Sequence, residues 1–335
     1  MRAVVTREPG RLDFVDDAVA EEVRPGWIAV DIRHVGICGT DYHITEGKHP
    51  FLEYPRIMGH ELSGVTASAG IDMAPGTPVI VNPYISCGSC IACRRGKPNC
   101  CTRIAVLGVH TDGGLRERIV VPEGNLYPAG DLSLRDAAMV EFLAIGAHAV
   151  RRAEAEPGAR ALVIGIGPIG LGAAIFAKIA GLDVTLLDTS VERLGFAREA
   201  LGFERSVIAG PAAAGEIAHM TEGDGFDVVF DATGNARSIE AGFSFVAHGG
   251  SYVLVSVVRD EIRFSDPEFH KREMRLIASR NATRVDFEHV MAAIRAGQVP
   301  TDRLATHRAT LEEAPERIKS WAHEKSGLIK AIIDL

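Results

Sequence analysis

The chain is 335 residues long, enough for two domains with sizeable cores. Its 47% hydrophobic and 24% charged residues suit an ordinary globular protein, and a net charge of −8 argues against nucleic acid as a partner. No apolar run reaches the ~18 residues of a membrane helix, and the opening MRAVVTREPG lacks a signal peptide's apolar core, so a cytoplasmic protein with reduced cysteines and no membrane partner is expected.

Through the first 143 residues, short β-type runs alternate with Gly and Pro: WIAVDIRHVGI, GHELSGVTASAG, GTPVIVNPY and LRERIVVP. They predict a β-rich domain with many loops. The character then changes. ALVIG reads as a buried strand, and PIGLGAAIFAKIAG as a helix with Pro at its start and Gly at its end. DVTLLD (strand), SVERLGFAREALG (helix), FDVVFDATG (strand), SIEAGFSFVAHGG (helix) and SYVLVSVV (strand) follow. Apolar strands alternating with helices predict an α/β fold with a doubly wound parallel sheet. Amphipathic helices and a closing strand then return in DFEHVMAAIRAG, EEAPERIKSWAH and LIKAIIDL. The expected layout is a β-rich domain of residues 1–143 and 284–335, interrupted by a nucleotide-binding domain of residues 144–283.

In VIGIGPIGLG, Gly165, Gly167 and Gly170 have the G-x-G-x-x-G spacing, between an apolar strand and a helix opening at Pro168 and Ile169. The first glycine makes the turn, the second admits a pyrophosphate to the backbone, and the third lets helix and strand pack. The helix N-terminus adds free N–H groups. Asp188 ends the next strand, 18 residues after Gly170. A carboxylate there accepts the ribose hydroxyls of NAD and repels a 2′-phosphate, so NAD is the expected cofactor. Arg193 flanks the adenine or faces solvent. The competing reading of the loop is an ordinary packing turn.

Five of the six cysteines lie in CGSCIACRRGKPNCC, residues 87–101. Cys87, Cys90, Cys93 and Cys101 are spaced C-x2-C-x2-C-x7-C, leaving Cys100 over. Four thiolates in one loop make a closed tetrahedral zinc site with no position for substrate. An iron–sulfur cluster would use the same ligands, although the chain shows no other electron-transfer feature. A second constellation lies upstream: Cys38 in GICGTDYH, and His60 with Glu61 in MGHELSG. One thiolate, one imidazole and one carboxylate hold Zn²⁺ while leaving a place for water or alcohol. Taken singly, each of these residues reads as structural.

The dinucleotide loop, the four-cysteine loop and Gly59-His60-Glu61 together resemble the zinc-dependent medium-chain dehydrogenase/reductase family, over nearly the whole chain. HPFLEYPRIMGHE, KPNCCTRIAVLGVHTDGG and VEFLAIGAHAV are most similar to its polyol and sugar-acid branch. That branch holds sorbitol dehydrogenase-like proteins, starvation-sensing oxidoreductases and L-gulonate or L-galactonate 5-dehydrogenases. The resemblance implies a GroES-like catalytic domain beside a Rossmann domain, one catalytic and one structural zinc, NAD, and a homodimer or homotetramer. It implies Cys38, His60 and Glu141 as catalytic zinc ligands, with Glu61 binding directly or in exchange with water and Asp41 orienting His60. Thr40 and His43 match a proton relay, in which a hydroxyl holds the departing proton and an imidazole carries it to water. Thr233 and Ser256 fall at cofactor positions, Ser256 where glycine is common beside the nicotinamide. Other departures are Phe142 in place of proline, and Leu115 and Arg118 in place of aromatic residues.

The implied reaction is hydride transfer to NAD from a secondary alcohol of a polyol or sugar acid. The alternatives are a zinc alcohol or threonine dehydrogenase for smaller substrates, and a non-catalytic zinc- and NAD-binding sensor. Arg280 follows a predicted strand in IASRNATR, and strand ends in such sheets face the ligand crevice. With Glu141 it is the candidate substrate contact, a guanidinium being suited to a sugar-acid carboxylate. A phosphate or nicotinamide contact and a surface salt bridge stay open for it. His110 reads as a pocket wall or a hydrogen-bonded loop residue, and Lys330 as a pyrophosphate contact or a solubilising strand residue. GSYVLVSVV is expected to extend the sheet across a two-fold axis.

Overall fold

The computed structural model describes residues 1–49, 52–324 and 327–335; Pro50 and Phe51 of the HPFLEYPRIMGHE stretch lie outside the described residues. The chain divides into two units, Met1–Glu141 with Met291–Leu335, and Phe142–Val290.

The first unit is built on a seven-stranded sheet. Its order is Ala305–Thr310, Lys330–Asp334, Trp27–Ile37, Glu61–Thr66, Pro78–Val81 and Leu126–Pro128, with Arg118–Pro122 also on Trp27–Ile37. Only Ala305–Thr310 and Lys330–Asp334 run parallel; the remaining pairs are antiparallel. Trp27–Ile37 is long enough to serve two partners along one edge: Trp27–Asp31 pair with Arg118–Pro122, and His34–Ile37 with Ala331–Asp334. Ile28, Val30, Val35, Leu62, Val79 and Ile333 anchor the core, all at most 1% exposed. Each such side chain contributes about 1.5–3 kcal/mol. The registers matter more for function. Gly36 stands opposite both Glu61 and Ile332, and Ile37 opposite Ala331. The closing strand therefore delivers Lys330 beside the Ile37–Cys38 junction.

The second unit is a six-stranded parallel sheet in the order Arg205–Ile208, Asp183–Asp188, Arg160–Ile164, Phe226–Asp231, Val246–Leu254, Arg275–Ala278. Numbered along this unit, that is 3-2-1-4-5-6, the doubly wound dinucleotide-binding order. Ala161–Ile164 are buried on both faces, which explains the unbroken apolar run. Ser190 caps the helix Val191–Leu201, its hydroxyl accepting the Arg193 N–H at 3.2 Å, and Gly202 closes it in the left-handed region at φ 68°.

Two expectations are corrected. The helix expected through Gly250 ends at Gly242, and a strand starts at Val246 after one 3-10 turn. Gly249 and Gly250, at the end of the stretch expected as helix, belong to a bulge: pairing jumps from Phe226↔Val246 to Val228↔Ser251. Second, Ser251–Leu254 are paired on both sides, to Val228–Asp231 and Arg275–Ala278. GSYVLVSVV thus has no edge with which to extend the sheet, and Arg275–Ala278 is the outer strand. The units part at 141/142 and 290/291. The helix Arg284–Arg295 begins in the second unit because Asp286, 1% exposed, bonds to His148 Nδ1 at 2.8 Å and Arg151 Nε at 2.7 Å.

Candidate active site

Cys38 ends the long strand and caps the helix Gly39–Thr45. Buried Asp41 accepts the Cys38 N–H at 2.9 Å and the Gly59 N–H at 3.3 Å, so one carboxylate ties together the two segments that carry Cys38 and His60. Its Oδ1 stands 3.7 Å from His60 Nδ1. That is a charge contact rather than a hydrogen bond. Ligand atoms of Cys38, His60 and Glu61 all lie within 4.8 Å of one another.

Glu61 is already engaged. Lys330 Nζ reaches its two carboxylate oxygens at 2.7 and 2.8 Å and donates to the Ile37 carbonyl at 3.3 Å. Both side chains are fully buried. Lys330 is therefore neither a surface strand residue nor, in this structure, aimed at a pyrophosphate. Gly36 makes the room: a Cβ there would lie 2.1 Å from Glu61 Oε2. Burial disfavours a charged Lys330, but Glu61 and then Cys38 outweigh it and raise its pKa.

Glu141, 1% exposed, stands outside the tight threesome. Its Oε1 accepts a hydrogen bond from the Tyr84 hydroxyl. Its Oε2 is buried with no hydrogen-bond partner among the described residues, as is His60 Nδ1. Burial raises the Glu141 pKa to about 7, with Glu61 adding to the shift while His60, Tyr84 and Lys330 oppose it. For His60 burial works downward, but Asp41, Cys38 and Glu141 overcome it and hold the imidazole well above its usual value. Three buried carboxyls, the half-buried Cys38 thiol and the His60 imidazole thus gather around one lysine. An orphaned carboxylate oxygen beside thiol and imidazole donors fits a divalent cation held by mixed S, N and O ligands.

Thr40 is half-buried with its Oγ1 3.9 Å from Cys38 Sγ, and His43 lies three residues on and exposed. Positions i and i+3 share a helix face, so the two line a path from the thiol outward.

The four-cysteine lobe is closed at its root by a ribbon of Tyr84–Ile85 with Ala105–Val106. Cys90 Sγ is 3.5 Å from Cys93 Sγ and 3.9 Å from Cys101 Sγ. A tetrahedron with Zn–S bonds of ~2.3 Å has edges of about 3.8 Å. Backbone N–H groups of Cys87, Cys90 and Arg103 point at sulfur, from 3.3 to 3.4 Å. Hydrogen bonds from Ser89 and Cys90 bring Cys87 down to about 5, and those from Cys93 and Thr102 bring Cys90 to about 6, while burial pushes Cys93 up to about 11. Backbone donors already favour thiolate at two of the four positions.

In the second unit, Gly167 caps the helix Pro168–Ile179 without a side-chain cap. A Cβ on Gly170 would sit 1.8 Å from the Gly165 carbonyl oxygen, so packing demands that glycine. A Cβ on Gly167 would meet nothing within 4 Å. Packing within the chain does not demand Gly167, and the open space there leaves room for a phosphate at the helix N-terminus. Asp188 is buried, its carboxylate taking the Ile166 N–H at 2.5 Å and the Ser190 N–H at 2.7 Å. Each oxygen keeps a lone pair for a ribose hydroxyl.

Residues 24–131 match the alcohol dehydrogenase GroES-like domain and residues 168–296 the zinc-binding dehydrogenase domain. The chain is 43% identical over 298 residues to L-galactonate-5-dehydrogenase of Escherichia coli K12, covering 86% of each. The chain is a zinc-type medium-chain dehydrogenase. D-altritol 5-dehydrogenase of Agrobacterium fabrum is 32% identical across 93% of this chain and 94% of its own. A solved structure of the alcohol dehydrogenase rspB from E. coli CFT073, complexed with NADH, superposes with TM-score 0.93 at 27% identity, covering 100% and 99% of the two chains.

Other expected residues of this dehydrogenase find their places. Pro168 and Ile169 form the half-buried first turn of the glycine-loop helix, and Arg193 is exposed in the first turn of the next. Thr233 packs against Gly165 and bonds Asp231 through both its N–H and its hydroxyl. Ser256 Oγ accepts the Gly234 N–H at 2.7 Å, a contact glycine cannot make. Arg280 is exposed, beyond the end of the outer strand. His110 Nδ1 accepts the Val106 N–H at 3.1 Å, as a loop fastener. Leu115 is core, and Arg118 pairs with Asp31 at 2.6 Å on the surface. Tyr84 and Gly36 were missed from the sequence. Only the position of Tyr84 three residues before Cys87 could have drawn notice; Gly36 carried no signal at all.

Proposed function

We propose that this dehydrogenase oxidises a secondary hydroxyl, at the fifth carbon, of a six-carbon sugar acid or polyol, with NAD as acceptor. The observation that carries the chemical part is the cluster of half-buried Cys38 with buried His60, Glu61 and Glu141, in which Glu141 Oε2 is left without a hydrogen-bond partner among the described residues. The substrate part is supported by the 43% and 32% identical relatives, both named as 5-dehydrogenases of six-carbon open-chain compounds.

Cys38, His60 and Glu141 would hold the catalytic zinc, with Glu61 retained by Lys330 as a reserve carboxylate. When bound, the zinc would supply Lewis acidity toward the substrate oxygen and NAD a hydride acceptor. Thr40 accepts the hydroxyl proton in a hydrogen bond, and His43 passes it to water from its exposed position. Asp41 keeps the Cys38 and His60 segments in register. Residues 142–290 bind NAD: Gly165, Gly167 and Gly170 admit the pyrophosphate and Asp188 takes the ribose hydroxyls, with Thr233 and Ser256 shaping the strand ends. Cys87, Cys90, Cys93 and Cys101 would hold a second zinc that supports the lobe. Arg280 is the candidate for a substrate carboxylate, and the chain assembles as a homodimer or homotetramer.

The test is NADH formation on a panel of L-galactonate, L-gulonate, D-altritol, sorbitol, threonine and ethanol. A hexonate or hexitol is expected to give the highest kcat/KM by at least about tenfold. Highest efficiency on ethanol or threonine would replace the substrate reading with that of a small-alcohol enzyme. No turnover on any of them with zinc and NAD bound would point to a sensor.

A further inference from the structure

We propose that Tyr84 is a positioning residue through which the four-cysteine lobe sets the catalytic carboxylate, fixing Glu141 Oε1 so that Oε2 is the atom offered to the catalytic zinc. The inference rests on the two-zinc reading above and adds a link between the sites.

The two carboxylates near Cys38 and His60 are held in different ways. Glu61 has both oxygens taken by Lys330, whereas Glu141 has one taken by Tyr84 and one buried without a hydrogen-bond partner among the described residues. A single neutral donor leaves a carboxylate its charge and one oxygen for a metal, while the lysine neutralises the other group. Tyr84 is itself 7% exposed, so its hydroxyl has little water to turn to.

The placement of Tyr84 supplies the coupling. It lies three residues before Cys87, in a ribbon only two residues long on each side, paired Tyr84↔Val106 and Ile85↔Ala105. On the sheet side its backbone is held by Asn82 Oδ1 at 3.0 Å and Asn125 Nδ2 at 3.2 Å. On the other side its partner strand is the returning end of the lobe. Two-residue ribbons have little stability of their own, so the metal-closed lobe is what keeps Val106 against Tyr84. Both supports converge on one phenol.

Zinc affinities of the intact enzyme, measured by competition with a chromophoric chelator, test this together with the visible spectrum of cobalt(II) at the weaker site. In Tyr84→Phe, the weaker zinc should bind about 10- to 100-fold less tightly. The four-cysteine zinc and the Tm should hold, and the cobalt(II) ligand-field band should shift. In a Glu141→Gln background the same substitution should add nothing further. Opening the lobe with Cys90→Ser should weaken the catalytic site in the Tyr84 enzyme but not in Tyr84→Phe. Unchanged affinity and spectrum in Tyr84→Phe would overturn the proposal, as would parallel loss of both zincs, which would make Tyr84 a packing residue of the lobe. A wild-type enzyme with a single zinc would remove the two-zinc reading itself, a separate failure.

Discussion

Lys330 and Glu61 form an ion pair with no exposed surface on either side chain. Such a pair adds little net stability relative to apolar groups of the same shape, yet breaking it leaves a buried charge uncompensated. Lys330→Met should therefore cost about 3–5 kcal/mol in urea unfolding, and Lys330→Met with Glu61→Leu much less. Equal losses in the two variants would show that the pair does not carry the cost. At the cofactor end, Asp188→Ala removes the acceptor of two backbone N–H groups as well as the ribose contact. The KM for NAD should rise by tenfold or more, about 1.4 kcal/mol, and preference over NADP should shrink. An unaltered KM would remove Asp188 from the ribose site. These roles were unequally legible. The glycines announce themselves by spacing, and Cys38 and His60 by their company with the four-cysteine and glycine loops, whereas the Lys330–Glu61 pair spans 269 residues of sequence and arises only from strand register.

Among the elements, the helix Arg284–Arg295 is fastened by Asp286, which accepts bonds from His148, Arg151 and Thr283. Burial alone would raise its pKa, but hydrogen bonds from His148 and Arg151, then Thr283, hold it well below the usual carboxylate range. A depressed folded value stabilises fully above the unfolded pKa of about 3.9 and fades as pH falls through the folded one. Asp286→Asn should cost about 2 kcal/mol at pH 7, and the gap to wild type should narrow at the lowest pH where both still fold. A gap independent of pH would contradict this. The helix itself was readable from its apolar period, but its allegiance was not, because the pairing with His148 crosses 138 residues. The helix expected through Gly250 but ending at Gly242 has a similar cause: a glycine pair marks a bulge as readily as a helix stop, and only strand pairing separates them.

For the whole molecule, the two-part architecture was legible because period-2 β runs give way to apolar strands alternating with helices, a change of pattern that needs no tertiary information. Interruption of the first unit by the second was also visible in the returning amphipathic helices. The outer position of Arg275–Ala278 was not. A strand before Arg280 was expected, but only the pairing of Ser251–Leu254 on both sides shows which strand closes the sheet. Among the described residues no helix is long and apolar enough to cross a membrane. The central claim is that chemistry belongs to the lone upstream cysteine and that the crowded cysteine loop is support. Cys90→Ala should accordingly lower the Tm before it lowers kcat. The most direct measurement is zinc content together with NADH formation in Cys38→Ala, on protein whose Tm matches wild type. The account predicts a fall from about two zinc ions per chain to about one, with turnover abolished. Retention of both zincs, or turnover near the wild-type rate, would contradict it.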